Sequence, residues 1–296
     1  MADTRHVFGS AETERKLGCL KQYLTAYSVA LKSQNFRRMY IDAFAGTGSR
    51  TETKAALPFF GDGDINAVEV TTKGSARIAL ETVPAFHSVV LIEQDANKVQ
   101  ALKSAIDEYP GARAHVREGD ANEVVQRICR LYDWQRDNIR GVIFLDPYGM
   151  EVSWETVEAI AETKALDCWY FFPLSGLYRN ASRDPLALDE GKIASLTRVL
   201  GTDAWRRDWY EDPGEQFDLL GPVSAGERRS ADVDRIESWV HDRLKTVFKG
   251  TVLKPLRLKH SNGAPMASLF FAVANPNGKA VGLASKIAGH ILKAGI

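Results

Sequence analysis

Between residues 39 and 176 a short apolar run gives way to a helical pattern again and again. The runs are Met39–Ile41, Ser88–Ile92 (SVVLI), a weaker ARAHV over 112–116, Gly141–Leu145 (GVIFL) and Cys168–Phe172 (CWYFF). The intervening helices show in their periodicity. One covers GSARIALET from Gly74 to Thr82. The next carries Val99, Leu102, Ile106 and Tyr109 in step and is stopped by Pro110-Gly111. A third carries Val124, Ile128 and Leu131, and a fourth, WETVEAIAETK, is capped by Ser153. The last run ends at Pro173-Leu174-Ser175-Gly176. Strands that alternate with helices and are apolar on both faces predict a parallel sheet covered on both sides. Ligands in such sheets bind beyond the carboxyl ends of the strands.

Those ends carry the chemistry. The stretch 39–50, MYIDAFAGTGSR, runs from a buried strand into Asp42 and then a turn from Ala43 to Ser49. Gly46 and Gly48 allow unusual backbone angles and a close approach to main-chain N–H groups. A dinucleotide fingerprint needs a third glycine and an acid ~20 residues on. Here the third glycine is missing and the next strand-end acid, Glu93, lies much further along. An ordinary glycine turn gives the same local pattern. Asp120 and Asp146 end the third and fourth runs, so Asp42, Glu93, Asp120 and Asp146 converge on one sheet edge. A lone acid at such a position simply caps the next helix. Asp95 reads that way.

The flanks are less regular. Residues 11–33 form a helix whose apolar face carries Leu17, Leu20, Leu24, Tyr27 and Leu31, with Ser10 as cap and Glu12 and Glu14 in the first turn. It is expected to pack over the ligand edge of the sheet. Residues 50–73 read as a long polar loop, either a lid or an insertion, and its GDGD at 61–64 lacks the other ligands of a calcium loop. From Leu177 to Pro222 the alternation stops in a helical segment rich in acids, with Trp205 and Trp209 at helical spacing. Such tryptophans belong to a core more often than to a base-stacking platform. An amphipathic helix follows over 231–248, then two strands at 250–259 and 267–274 joined by Ser261-Asn262-Gly263, and a helix over 279–293. The domain reading is 1–38 as an N-terminal helical segment, 39–176 as a ligand-binding core, 177–249 as a helical insertion, and 250–296 completing the core.

Bulk properties narrow the classes. With 38 basic and 38 acidic residues the formal net charge is zero, so no global field recruits nucleic acid or an anionic membrane. Nucleic acid would have to meet a local patch, and residues 243–260 (RLKTVFKGTVLKPLRLKH) form one without an acid. A solvated strand face gives the same pattern. Three scattered cysteines argue against a disulfide scaffold and for a reducing compartment. The longest apolar runs fall far short of a membrane span, and MADTRHVFGS has no signal core. The expectation is a cytoplasmic protein with no membrane partner. The six histidines show no ligand spacing, so no metal is expected.

DAFAGTGS, GSARIALE, LIEQD, EGDA and FLDPYG together resemble the three-Cys-motif partner protein family (TcmP), over roughly residues 6–295. The resemblance implies an α/β, Rossmann-like class I methyltransferase fold: a mostly parallel seven-stranded sheet with a C-terminal antiparallel hairpin and an inserted helical segment. It implies S-adenosyl-L-methionine as cofactor and association with a protein bearing the three-cysteine motif. On that pattern Gly46 and Gly48, with Phe44 and Ala45 in the same turn, lie along the methionyl part, and Asp42 sits near its ammonium. Glu93, with Asp95 as the alternative, takes the ribose hydroxyls, and Asp120, with Ala121 beside it, takes the adenine amine. Each is a carboxylate acceptor facing a donor. Asp146-Pro147-Tyr148-Gly149 sits where amino-methyltransferases acting on nucleic-acid bases carry [DNS]PP[FY], making Asp146, Pro147 and Tyr148 the candidate catalytic group. There a carboxylate and a carbonyl orient a poorly nucleophilic amine. The second proline and the final aromatic are absent, which leaves the acceptor open between DNA, RNA and protein. Tyr148, Phe171 and Phe172 are candidates to stack on a base. Three readings compete: a methyltransferase acting on a nucleic-acid amine, a non-catalytic partner subunit, and a nicotinamide-dependent dehydrogenase. The last is weakened by the missing glycine and the final hairpin.

Overall fold

A computed structural model describes residues 10–54, 68–211, 215–218, 221–224 and 228–295. Helix α1 (Ser10–Ala30) precedes strand β1 (Arg37–Asp42). The glycine turn leads into β2 (Ser49–Lys54), β3 (Val68–Lys73) and α2 (Ser75–Leu80). Then come β4 (Ser88–Glu93), α3 (Ala96–Asp107), β5 (Ala114–Glu118), α4 (Ala121–Leu131), β6 (Ile139–Leu145), α5 (Trp154–Glu162) and β7 (Leu166–Phe172). The inserted segment holds α6 (Leu174–Asn180), α7 (Glu190–Leu200), α8 (Ala204–Trp209), β8 (Tyr210–Glu211), β9 (Glu215–Asp218), β10 (Gly221–Ser224) and β11 (Arg228–Arg229). The chain closes with α9 (Val233–Val247), β12 (Thr251–Val252), β13 (Leu256–Lys259), β14 (Pro265–Val273) and α10 (Gly278–Ala294).

The main sheet runs β12-β14-β7-β6-β1-β4-β5, with β13 also on β14. The stretch β7-β6-β1-β4-β5 is parallel throughout. Strand β14 lies antiparallel to β7, and β12 and β13 lie antiparallel to β14. The sheet is therefore α/β and mostly parallel, but it has eight strands rather than seven. The expected strand over 250–259 breaks at Lys254-Pro255, where proline offers no N–H to the ladder.

Side-chain alternation sorts the core into two layers. In β7, Cys168, Tyr170 and Phe172 pack with α4, α5 and the inserted segment. Trp169 packs on the other face with residues of α1, α2 and α10. Helices α2 and α3 cover one face and α4 and α5 the other, so the winding reverses between β1 and β6. That reversal opens a crevice at the carboxyl edge beside the glycine turn.

Two flanking expectations change. Residues 50–73 are not a plain loop, because β2 and β3 pair from Ser49↔Lys73 to Lys54↔Val68. The β-branched residues alternating through SRTETK and VEVTTK supply the strand propensity that their polarity conceals. Gly61, Asp62, Gly63 and Asp64 lie outside the described residues. The inserted segment is helical only as far as Trp209 and then forms short antiparallel pairs, β8 with β11 and β9 with β10. Trp205 and Trp209 are fully buried and pack on each other, so both are core.

Candidate functional site

Register alone brings the strand-end acids to one edge. Asp42 pairs with Leu91 of β4 and with Phe144 of β6, and Glu93 pairs with Glu118 of β5. Behind them lies a groove of about 470 Å³ lined by Phe44, Glu93, Asp120, Ala121 and Tyr148, with Lys98, Asn122 and Glu151. That volume suits a nucleoside-sized ligand.

The two acids in the groove are held by backbone. Glu93 Oε1 accepts from the N–H groups of Gln94 and Asp95 at 2.9 and 3.0 Å. Asp120 Oδ1 caps α4 through Asn122 and Glu123 N–H, and Asp95 caps α3 in the same way. In both Glu93 and Asp120 the second carboxylate oxygen has no hydrogen-bond partner among the described residues, so each fixed acid keeps an acceptor for a donor-bearing ligand.

The glycine turn divides its work. Ala45 N–H donates to Ile92 O at 2.9 Å, tying the turn to β4. Gly46 has φ +60° with open space where a Cβ would stand, which leaves room for a ligand. Gly48, at φ +75°, is packed instead, and a Cβ there would sit 3.3 Å from Leu102 Cδ2. Gly48 thus serves the close fit of turn to helix rather than an approach from solvent.

Asp42 is not brought to the groove surface. It is fully buried, accepts from Tyr40 Oη and Phe44 N–H, and is hydrogen-bonded by Ser75. Burial, with a smaller push from the charge of Asp146, raises its pKa to about 7. It holds the turn from behind and supplies its charge at a distance.

Asp146 has a partner that the linear motif hides. Lys16 of α1 donates to both its oxygens at 2.5 and 2.7 Å, and the same ammonium lies 4.1 Å from the centre of the Phe171 ring. Lys16 is buried although it is a lysine, so the pair is sheltered. Pro147 is buried. Tyr148 is 82% exposed at the groove lip, with Lys98 Nζ 5.0 Å from its ring and its N–H on Glu151 Oε2. Phe171 underlies Lys16, whereas Phe172 is buried between Tyr170 and Phe270, which excludes it as a stacking group. Among the described residues no cluster of three His, Cys, Asp or Glu side chains is placed to hold a metal.

No family model and no curated protein matches the chain. Among solved structures it is similar to a Legionella pneumophila protein of family-model DUF519, at 12% identity and TM-score 0.49, over 97% of this chain and 94% of that one. It is also similar to the N-terminal domain of EvdMO1 with S-adenosylhomocysteine bound, at 11% identity and TM-score 0.40, over 86% and 80%. The YcgJ protein from Bacillus subtilis matches at 11% identity and TM-score 0.30, over 84% and 95%. These likenesses concern the path of the chain alone.

Sequence reasoning missed Lys16, Lys98, Asn122 and Glu151. A signal for Lys16 existed. It precedes Leu20 by four and Tyr23 by seven, on the stripe that the structure buries: Lys16, Cys19, Leu20, Tyr23, Leu24 and Tyr27. A lysine on a buried stripe asks for an acid. Asn122, in the first turn of α4, bridges Glu151 O and Ser153 N–H of the loop before α5, a link with no local pattern. Residues of the basic stretch have partners within the chain. Arg257 is held by Asp234 and Glu237, Arg243 by the carbonyls of Leu200 and Gly201, and Lys245 by Asp242.

Proposed function

We propose that the protein is an S-adenosyl-L-methionine-dependent methyltransferase acting on an amine, with a nucleic-acid base as the acceptor. The observation that carries the reading is the pair of backbone-fixed acids, Glu93 and Asp120, each with a spare oxygen in one nucleoside-sized groove beside the glycine turn. Glu93 accepts from the ribose hydroxyls and Asp120 from the adenine amine, while Phe44 and Ala121 give the ring apolar contact. The turn at Gly46 leaves room for the methionyl arm, and the charge of Asp42 behind it favours a cationic ligand. When bound, the cofactor supplies an electrophilic methyl group.

Asp146 orients the acceptor. Its carboxylate takes N–H groups of the incoming amine, and the exposed Tyr148 ring stacks on the base that carries it. For this the amine replaces Lys16 on Asp146, and Lys16 shifts toward Phe171. With zero net charge and Arg243, Lys245 and Arg257 already engaged, base contacts and the groove rim do most of the recognition. The direct test is tritiated-methyl transfer to mixed DNA and tRNA. Wild type labels one pool and Asp146→Ala does not; equal labelling by both removes Asp146 from the chemistry.

One observation favours a second reading. Both oxygens of Asp146 are already taken by a buried lysine of the same chain. A partner subunit that keeps the cofactor groove but works by holding a three-Cys-motif protein would carry such a closed pair. It binds S-adenosylhomocysteine, labels no nucleic acid, and forms a stable complex with the cysteine-motif protein.

A further inference from the structure

We propose that the cavity at the amino edge of the sheet is a second ligand site, for a flat neutral heterocycle that presents adjacent N–H donors, of which guanine is the simplest. This inference stands independently of the cofactor reading. The cavity, about 480 Å³, opens between the start of β6, the start of β7, the end of α1 and the first turns of α10. Asp167 is the second residue of β7 and pairs with Val142, so its site lies toward the opposite strand end from Asp146, about 13 Å away along the sheet.

Its lining is chemically specific. Asp167 is buried at 8% exposure yet borders the cavity. Tyr23 Oη donates to its Oδ2 at 2.6 Å, and Oδ1 has no hydrogen-bond partner among the described residues. Asp167 borders the cavity, so that open acceptor is within reach of a ligand's N–H. A neutral phenol partner would be served as well by asparagine. The neighbouring Arg140 does not close the pair: its guanidinium donates to Trp134 O, Ile139 O and Gln135 Oε1 and stacks 4.9 Å from Phe36. The walls add Tyr27, Leu31 and Ile287, which suit a flat ring.

Charge chooses among donors. Arg140 and Lys279 face the cavity against the single acid Asp167, so an ammonium ligand meets repulsion. An anion is drawn by that positive excess but has no proton to give the Asp167 acceptor. A neutral ring with two parallel N–H groups gives the carboxylate its missing bonds without adding charge.

Calorimetric titration of the full chain with guanosine tests this. Saturable binding is expected, at least ~10-fold tighter than adenosine, whose amine lies beside an acceptor nitrogen. Asp167→Asn weakens guanosine by ~10-fold or more. Leu283→Trp, at the exposed mouth, also abolishes binding and leaves Asp167 in place, so the test survives a folding defect in the first variant. Burial raises the Asp167 pKa to about 7, and the groups facing it are Tyr23 and Tyr27 of α1, Arg140 of β6 and Lys279 of α10. Wild-type affinity therefore falls as pH drops below about 7. No saturable binding, equal binding of guanosine and adenosine, or unchanged binding in both variants overturns the proposal. Titration of the same variants with S-adenosylhomocysteine reads the other edge separately, and a failure there bears only on the methyltransferase reading.

Discussion

Asp42 and Gly48 were legible as site residues, but what they do was not. Asp42 ends β1 and Gly48 lies in the turn that follows, and both face inward. For Gly48 the consequence is steric and conformational: alanine there meets Leu102 at a positive φ, whereas alanine at Gly46 meets only the φ penalty. Gly48→Ala is expected to destabilise by ~1–3 kcal/mol and by more than Gly46→Ala, measured by urea unfolding. Gly46→Ala is expected to do more harm to ligand affinity than to stability. For Asp42 the consequence is a pH dependence. Its folded pKa is about 7, so near neutrality a fraction is protonated. An ammonium held nearby favours the ionised form. Affinity for S-adenosylhomocysteine should thus rise between pH 6 and pH 8, and the rise should flatten in Asp42→Asn. A flat wild-type profile would detach Asp42 from the ligand. Lys16 belongs at the same scale. Lys16→Met leaves the sheltered Asp146 without its counter-charge and is expected to cost about 2–3 kcal/mol in denaturant unfolding. Restoration of stability by the second change Asp146→Asn would trace the cost to the pair.

Helix α1 does more than cover the sheet. Read from periodicity, its apolar stripe was Leu17, Leu20, Leu24, Tyr27 and Leu31, and Leu20, Leu24 and Tyr27 are buried. The structure widens the buried face to take in Lys16, Cys19 and Tyr23 and leaves Leu17 and Leu31 half-buried, and two of the added residues partner polar groups beside the sheet. Lys16 reaches Asp146 at the carboxyl edge and Tyr23 reaches Asp167 at the amino edge, while the Tyr23 ring packs on Trp169 and Phe271. Asp167 also writes a term into stability. Its folded pKa, about 7, lies above the unfolded value of 3.8, so the folded state holds the extra proton between them. By linkage its contribution is present below about 4 and is lost as pH rises to about 7. Asp167→Asn should flatten the fall in stability from pH 5 to pH 8, followed by thermal unfolding at each pH. An unchanged slope would place the titration elsewhere.

At the scale of the whole molecule, the alternation of apolar runs and helices was enough to give the five parallel strands and their converging acids, because periodicity and strand-end position are local properties. What stayed hidden depended on partners distant in sequence. The basic stretch looked free in line, but Arg257 lies against the acids of α9. The hairpin strand looked continuous until Pro255 divided it, and residues 50–73 looked like a loop because polar β-branched residues read weakly as strand. No helix among the described residues is long and apolar enough to cross a membrane. Backbone N–H groups fix Glu93 and Asp120 in a single groove before any ligand arrives. Calorimetric titration of S-adenosylhomocysteine into wild type and Glu93→Ala tests it most directly. One-site binding in wild type, weakened ~10-fold or more by Glu93→Ala with the fold intact, is the expected result. No binding by wild type, or equal binding by both proteins, would contradict it.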